Sequence, residues 1–266
     1  SAAAAGDRVT LAPGFVVLSE HDTDAVGVPA IATVSKEDEW DDGGFAIGAS
    51  VAAQGGLFVD RAYWTGNPDP AWVAERCRRA IDAGGYAQCG NELNLPLENF
   101  YGGPETYFAL EDAVREHLGD LEDQLLAMPP SPGLNGWQAW VRPLGRHAVH
   151  VYGDFEAMRS GAQWYLDNTD GAIYITELNF GAGNSVDVDE WADGDLRAFL
   201  DWCAGRDRIR CAAHFAWRWN ESANLPTSVD AQGSAIERVI REWVPPASGG
   251  SVPPAFSIDA TRDALW

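Results

Sequence analysis

Apolar and polar positions along the chain switch repeatedly between two spacings. Compact apolar runs alternate with longer segments whose apolar residues recur at the roughly 3.6-residue period of a helix. From Asp69 the alternation is regular. Asp69-Pro70 supplies a cap and a first-turn proline, and Trp72, Cys77, Ala80 and Ile81 form the apolar face of the helix that follows. Gly84-Gly85 breaks it, and Tyr86–Cys89 reads as a short buried strand. Beyond it the pattern predicts a helix over Pro104–Leu118, a strand over 124–128, a helix over 136–144 and a strand over 148–152. There follow a helix over Phe155–Asn168, a strand over 172–176, a helix over 188–204, a strand over 211–217 and a last helix over 234–243. The first 65 residues are less periodic. Residues 15–18 and 57–63 read as strands, and 30–34 and 45–49 as weaker strand candidates. The intervening segments are too short and glycine-rich for several full helices.

Strands alternating with helices over short connections imply a parallel sheet covered by helices. Six strands end near Tyr63, Glu92, Met128, Tyr152, Glu177 and Trp217, and residues 15–18 with one weaker run bring the set to eight. The 266 residues suit a closed barrel, which takes about 250. No GxGxxG or Walker-type loop follows any strand, as a nucleotide-binding open sheet would have. The expected fold is α/β, a (β/α)8 TIM barrel with reduced helices in its N-terminal third, occupying residues 1–244. Residues 245–266 open on Pro245-Pro246, are rich in Gly and Ser, and read as a linker and C-terminal tail.

Charge narrows the partners. A net charge of −22 repels phosphate backbones and anionic lipid surfaces, so neither nucleic acid nor membrane is expected. Of the 18 basic residues only Lys36 is a lysine, which fits a salty habitat or equally a GC-rich genome. No run of about 18 apolar residues occurs that would span a bilayer. The first six residues lack the basic start and apolar stretch of a signal peptide. Cys77, Cys89, Cys203 and Cys211 show no metal or redox spacing and read as buried thiols, with one disulfide open to a secreted protein. A secreted or extracellular monomer is expected.

The chemistry-bearing residues lie at strand ends. The strand Tyr86–Cys89 runs into Asn91-Glu92, and the strand over 172–176 runs into Glu177. A carboxylate at the end of a buried strand is costly to desolvate without a partner or a task. Two of them, in separate β/α units, suggest an acid/base and nucleophile pair. His150 and Tyr152 share one face of their strand.

The order Asn91-Glu92, His150-x-Tyr152, Glu177 and a strand ending in Trp217 resembles the (β/α)8 retaining glycoside hydrolases, the clan that includes family 5 cellulases and mannanases and family 39 xylosidases. The match covers about residues 57–243. The resemblance implies Glu92 as acid/base on the fourth strand, Glu177 as nucleophile on the seventh, and substrate contacts from Asn91, His150, Tyr152 and Trp217. The clan also supplies an arginine near the nucleophile, for which Arg61 is the candidate. It implies a poly- or oligosaccharide substrate and no cofactor or metal. Trp40 and Trp64 could line further subsites.

Other readings stand beside these. Glu92 or Glu177 could be a salt-bridged rim residue, His150 a hydrogen-bonded core histidine, and Trp217 core with Trp219 its exposed partner. His21-Asp22, His150 and His214 could ligate a metal in a metal-dependent barrel hydrolase, although no HxH or HExxH pair occurs. A barrel that binds glycans without cleaving them is the third reading.

Overall fold

The computed structural model of the protein describes residues 11–18, 22–35, 44–180, 187–216 and 231–246. Eight parallel strands close into a barrel in chain order. They are β1 (Ala12–Val17), β2 (Ala30–Ser35), β3 (Leu57–Ala62), β4 (Tyr86–Cys89), β5 (Leu125–Ala127), β6 (Arg146–Tyr152), β7 (Ile173–Asn179) and β8 (Ile209–His214). The helices are α1 (Phe45–Ala53), α2 (Pro70–Asp82), α3 (Pro104–Leu118), α4 (Phe155–Asn168), α5 (Val188–Trp191), α6 (Arg197–Ala204) and α7 (Ala235–Glu242). A single π turn, Ala192–Leu196, joins α5 to α6 without a break. The tail from residue 247, the acidic segment 37–42, His21, Trp40, Trp217 and Trp219 lie outside the described residues.

Strand alternation builds two cores. Val16, Ala30, Ala32, Val59, Leu126, Ala148, Tyr174, Cys211 and Ala213 point into the barrel, where many small side chains suit the narrow interior. Their neighbours point outward to the helices, as Phe15, Ile31, Val149 and Ile175 do on one side and Phe58, Ala87 and Leu125 on the other. Burial of this outer layer is the main favourable contribution to folding. All four cysteines are free and buried there or inside the barrel. No helix among the described residues is long and apolar enough to cross a membrane.

Three expectations need correction. Residues 45–49 begin the helix α1 rather than a strand. A short apolar run does not reveal its period, and β2 already pairs directly with β3, from Ala30 with Leu57 to Ser35 with Ala62. Gly48 lets α1 approach β3, since a Cβ there would lie 2.2 Å from Phe58 Cε2. The described residues between β1 and β2 hold a 3₁₀ turn, Thr23–Ala25, as expected of reduced helices in the N-terminal third, but the segment read as a helix over 136–144 also holds only a turn, Trp137–Trp140. Pro143 cannot continue a helix, and the segment's burial comes instead from Trp137 stacking on Tyr165 at 5.6 Å. Finally, Trp64 is 1 % exposed and belongs to the outer core, so it lines no subsite.

A buried carboxyl group lies on the outer face of β3. Asp60 on β3 accepts hydrogen bonds from Thr33 at 2.5 Å and Ser35 at 2.8 Å. Burial pushes its pKa up to about 6, outweighing those hydrogen bonds and the charges of Arg79 and Arg76. A raised folded-state pKa means that the folded chain holds this proton more tightly than the unfolded chain. The stability it contributes is complete below about pH 4 and is lost as pH rises through about 6. Asp60→Asn, which cannot ionise, is expected to remove this loss. Relative to the variant, the wild type should become less stable by about 3 kcal/mol between pH 3.5 and pH 7. Urea unfolding of both proteins at the two pH values measures the difference, and parallel pH dependence would refute it.

Candidate active site

The C-terminal ends of the strands carry the charged residues, and the local backbone aims them. Gly90 closes β4 with φ 89, and a Cβ there would lie 2.9 Å from Trp64 Cζ2, so the turn into Asn91-Glu92 needs glycine. Glu92 itself sits in the left-handed region, φ 38, where a non-glycine residue is strained. Two backbone hydrogen bonds hold it there: its N–H donates to the Pro129 carbonyl at 3.1 Å, and its carbonyl accepts from Leu95 N–H at 2.7 Å.

β7 uses a different device. Val149 pairs with Ile175 and the next residue, His150, pairs with Glu177, leaving Thr176 as one extra residue in the strand. β8 shows the same offset, Ala212 pairing with Ile175 and His214 with Leu178. This bulge resets the alternation. Thr176 points inward and donates to Gln88 Oε1 at 2.7 Å, Leu178 joins the outer core, and Glu177 turns into the barrel.

Arg61, His150 and Tyr152 face inward by plain alternation from Val59 and Ala148. Around them the two carboxylates meet. Arg61 Nη2 donates to Glu177 Oε2 at 2.9 Å and to His150 Nε2 at 3.2 Å. His150 Nδ1 lies 2.7 Å from Glu92 Oε1. A guanidinium can only donate, so in the neutral ring Nε2 accepts and the Nδ1 proton is turned to Glu92. The Tyr152 hydroxyl donates to Glu177 Oε1 and also stands 3.5 Å from Glu92 Oε1.

The two carboxylates therefore live in different surroundings. Burial pushes the Glu177 carboxyl up, but the positive charge of the His150 ring when protonated and of the Arg61 guanidinium, with hydrogen bonds from Tyr152 and Arg61, hold it below the usual glutamate range. Glu177 is thus kept ionised. Burial and both neighbouring carboxylates push Tyr152 well above the ordinary phenol value, so it stays a donor. Glu92 has no cation against it in this network other than His150 when that ring is protonated. One ionised carboxylate opposite a second that can exchange a proton is an arrangement able to attack a carbon and protonate a leaving oxygen.

Glu92, His150, Tyr152, Glu177 and Arg61 are thus brought together. Asn91 lies beside them but donates its Nδ2 to Glu98 at 3.2 Å. Glu98 and Gln88 were not legible as site residues: Glu98 sits in a loop, and Gln88 shows only as a polar residue inside an apolar strand. His214 points to the outer core, its ring 6.1 Å from Trp191, and so does not converge with His150 as a metal ligand. Among the described residues no group of three or more His, Cys, Asp or Glu is placed to hold a metal ion. A cavity of about 780 Å³ lies at the opposite mouth of the barrel beside Tyr86, Tyr174, Arg146 and Arg210, far along the strands from these carboxylates. In barrels of this kind that face serves stability.

No protein-family model and no curated protein matches the chain. Solved structures do share its fold. A glucosidase from Croceicoccus marinus superposes with a TM-score of 0.52 at 11% identity, over 79% of this chain and 60% of the glucosidase. The chain thus spans less than two thirds of that protein's length. The cellulase Cel5C_n gives 0.54 at 15% identity over 87% of this chain and 86% of its own. A Cytophaga hutchinsonii protein gives 0.52 at 14% identity over 87% and 88%. At these identities the likeness is one of fold, the closed (β/α)8 barrel.

Proposed function

We propose that the protein is a retaining glycoside hydrolase acting on a poly- or oligosaccharide, with Glu177 as nucleophile and Glu92 as acid/base. The observation that carries this reading is the Tyr152 hydroxyl, which stands within reach of both carboxylates. Their nearest oxygens then lie within two hydrogen-bond lengths, roughly 6 Å at most. Double displacement uses carboxyl groups about 5–5.5 Å apart, whereas inversion needs about 6.5–9.5 Å to admit a water. The glucosidase and cellulase among the fold neighbours agree with this substrate class.

In the first step a Glu177 oxygen forms a bond to the anomeric carbon as the bond to the leaving oxygen breaks, and Glu92 gives that oxygen its proton. In the second, Glu92 takes a proton from water as the water oxygen displaces Glu177 from the sugar. Arg61 and Tyr152 keep Glu177 charged and oriented between turnovers. Asn91 and Trp217 are assigned to substrate contact, Trp217 as an apolar platform for a sugar ring. The chemistry uses side chains alone and calls for no cofactor.

The test is a panel of 4-nitrophenyl glycosides followed by NMR of the first sugar anomer released. We expect hydrolysis of at least one glycoside with retained configuration. An inverted first product would refute the mechanism, and a panel with no turnover but measurable glycan binding would favour a non-catalytic barrel.

A further inference from the structure

The loop after β4 carries a third carboxyl group. Glu98 ends a short 3₁₀ turn, Pro96–Glu98, and is 2 % exposed. Among the described residues no arginine forms an ion pair with it. Instead it accepts a hydrogen bond from Asn91 Nδ2 at 3.2 Å, and the Tyr63 hydroxyl lies close enough to favour its charge. Its backbone is tied down on both sides: Gly66 N–H donates to its carbonyl at 2.9 Å and its own N–H donates to Leu95 at 3.1 Å. Leu95 is in turn bonded to Glu92, so the loop runs from one carboxylate to the other as a braced unit.

Such a placement is unfavourable for a residue with no task. Burial, and the nearby charge of Glu92, push the Glu98 carboxyl above the usual glutamate range, against the hydrogen bonds from Asn91 and Tyr63 and the charge of Arg61. Two of the atoms here are also unfinished. Asn91 Oδ1 and Glu98 Oε2 are both buried and have no hydrogen-bond partner. Asn91 Oδ1 is an acceptor, as is Glu98 Oε2 while ionised, and a buried acceptor without a donor is costly unless a ligand supplies one. A ligand that completes the pair must offer O–H or N–H groups, and sugar hydroxyls do so.

We propose that Glu98 is a positioning residue of this site: by engaging the amide nitrogen of Asn91 it leaves the Asn91 carbonyl oxygen to accept a hydrogen bond from a hydroxyl of the bound sugar. The inference rests on the glycosidase reading and goes one step beyond it. It gives Asn91 the role of acceptor, and it makes the loop residue Glu98 the cause. A hydrogen bond to a sugar hydroxyl beside the anomeric centre strengthens in the transition state, so Glu98 acts on the rate of the bond-breaking step more than on ground-state binding.

The test uses the full chain and the 4-nitrophenyl glycoside on which the wild type is most active. Glu98→Gln keeps an acceptor for Asn91, and Glu98→Leu fills similar space without one. Glu98→Leu is expected to lose kcat about 10- to 100-fold with KM changed less than about threefold, while Glu98→Gln loses only about threefold. Both should melt within a few degrees of the wild type; if Glu98→Leu does not fold, Glu98→Ala is read in its place. In an Asn91→Ala background the same Glu98→Leu change should cost less than about twofold, because nothing is left for Glu98 to hold. A Glu98→Leu enzyme with wild-type kcat overturns the assignment. So does a Glu98→Gln enzyme as impaired as Glu98→Leu, or an undiminished loss in the Asn91→Ala background. A wild type that hydrolyses no glycoside overturns the glycosidase reading and this inference together, which separates that failure from an active wild type indifferent to residue 98.

Discussion

Glu177→Gln is expected to lower kcat by roughly 10⁴- to 10⁶-fold on every glycoside the wild type cleaves, because it removes the atom that forms the covalent intermediate. The fold should survive, since Gln keeps the volume, its carbonyl oxygen can accept from Arg61, and its NH2 can donate to the Tyr152 hydroxyl oxygen. The companion measurement is covalent trapping. A 2-fluoro glycoside of the correct sugar should label the wild type at Glu177, read by mass spectrometry of the digested protein, and leave Glu177→Gln unlabelled. The environment of Glu177 makes this assignment specific: the Arg61 guanidinium and the Tyr152 hydroxyl favour its ionised form, as does the His150 ring when protonated, and an ionised carboxylate is what a nucleophile requires. A label on another carboxylate would transfer the role to that residue.

Glu92→Ala should behave differently, and the difference is the stronger test of the pair. Without a proton donor, glycosides with poor leaving groups should slow by about 10²- to 10⁴-fold, whereas activated aryl glycosides, which need little protonation, should lose much less in the first step. The second step then limits, because no base activates the water. Azide needs no base, so millimolar to molar azide should restore turnover of activated substrates and yield a glycosyl azide, of β configuration if the bond cleaved is β. Product analysis by NMR checks it. If azide restores Glu177→Gln instead of Glu92→Ala, the two roles are exchanged.

Much of this was open to a reading of the chain alone, and for definable reasons. The starts of Pro104–Leu118 and Phe155–Asn168 are legible because proline and Asp154 mark them, Asp154 accepting from Ala157 N–H at 2.8 Å. Tyr86–Cys89 is equally plain, an apolar run between Gly85 and Gly90. Local signals failed where burial, not period, chooses the structure. Residues 45–49 became α1 only because β2 and β3 pair with each other and leave that segment to cover them.

The same division runs through the site. Alternation along β6 is a local property, so His150 and Tyr152 could be placed on one inward face from the sequence. The identity of the two glutamates was also legible, because carboxylates at the ends of apolar strands stand out by residue type. Their relation was not. Period two counted from Tyr174 would turn Glu177 outward, and only the extra residue in β7, visible in its pairing with β6 and β8, turns it in. Arg61 reaches Glu177 from 116 positions away and Glu92 meets His150 from 58, contacts that no local pattern encodes. Glu98 carries no local mark at all, since a glutamate in a loop reads as solvated until the fold buries it against Asn91 and Tyr63. Local residue order determines most of the strands and helices and, where no bulge intervenes, which face each side chain takes. Closure of the barrel determines which of those faces meet, because it alone fixes the register between strands far apart in the chain.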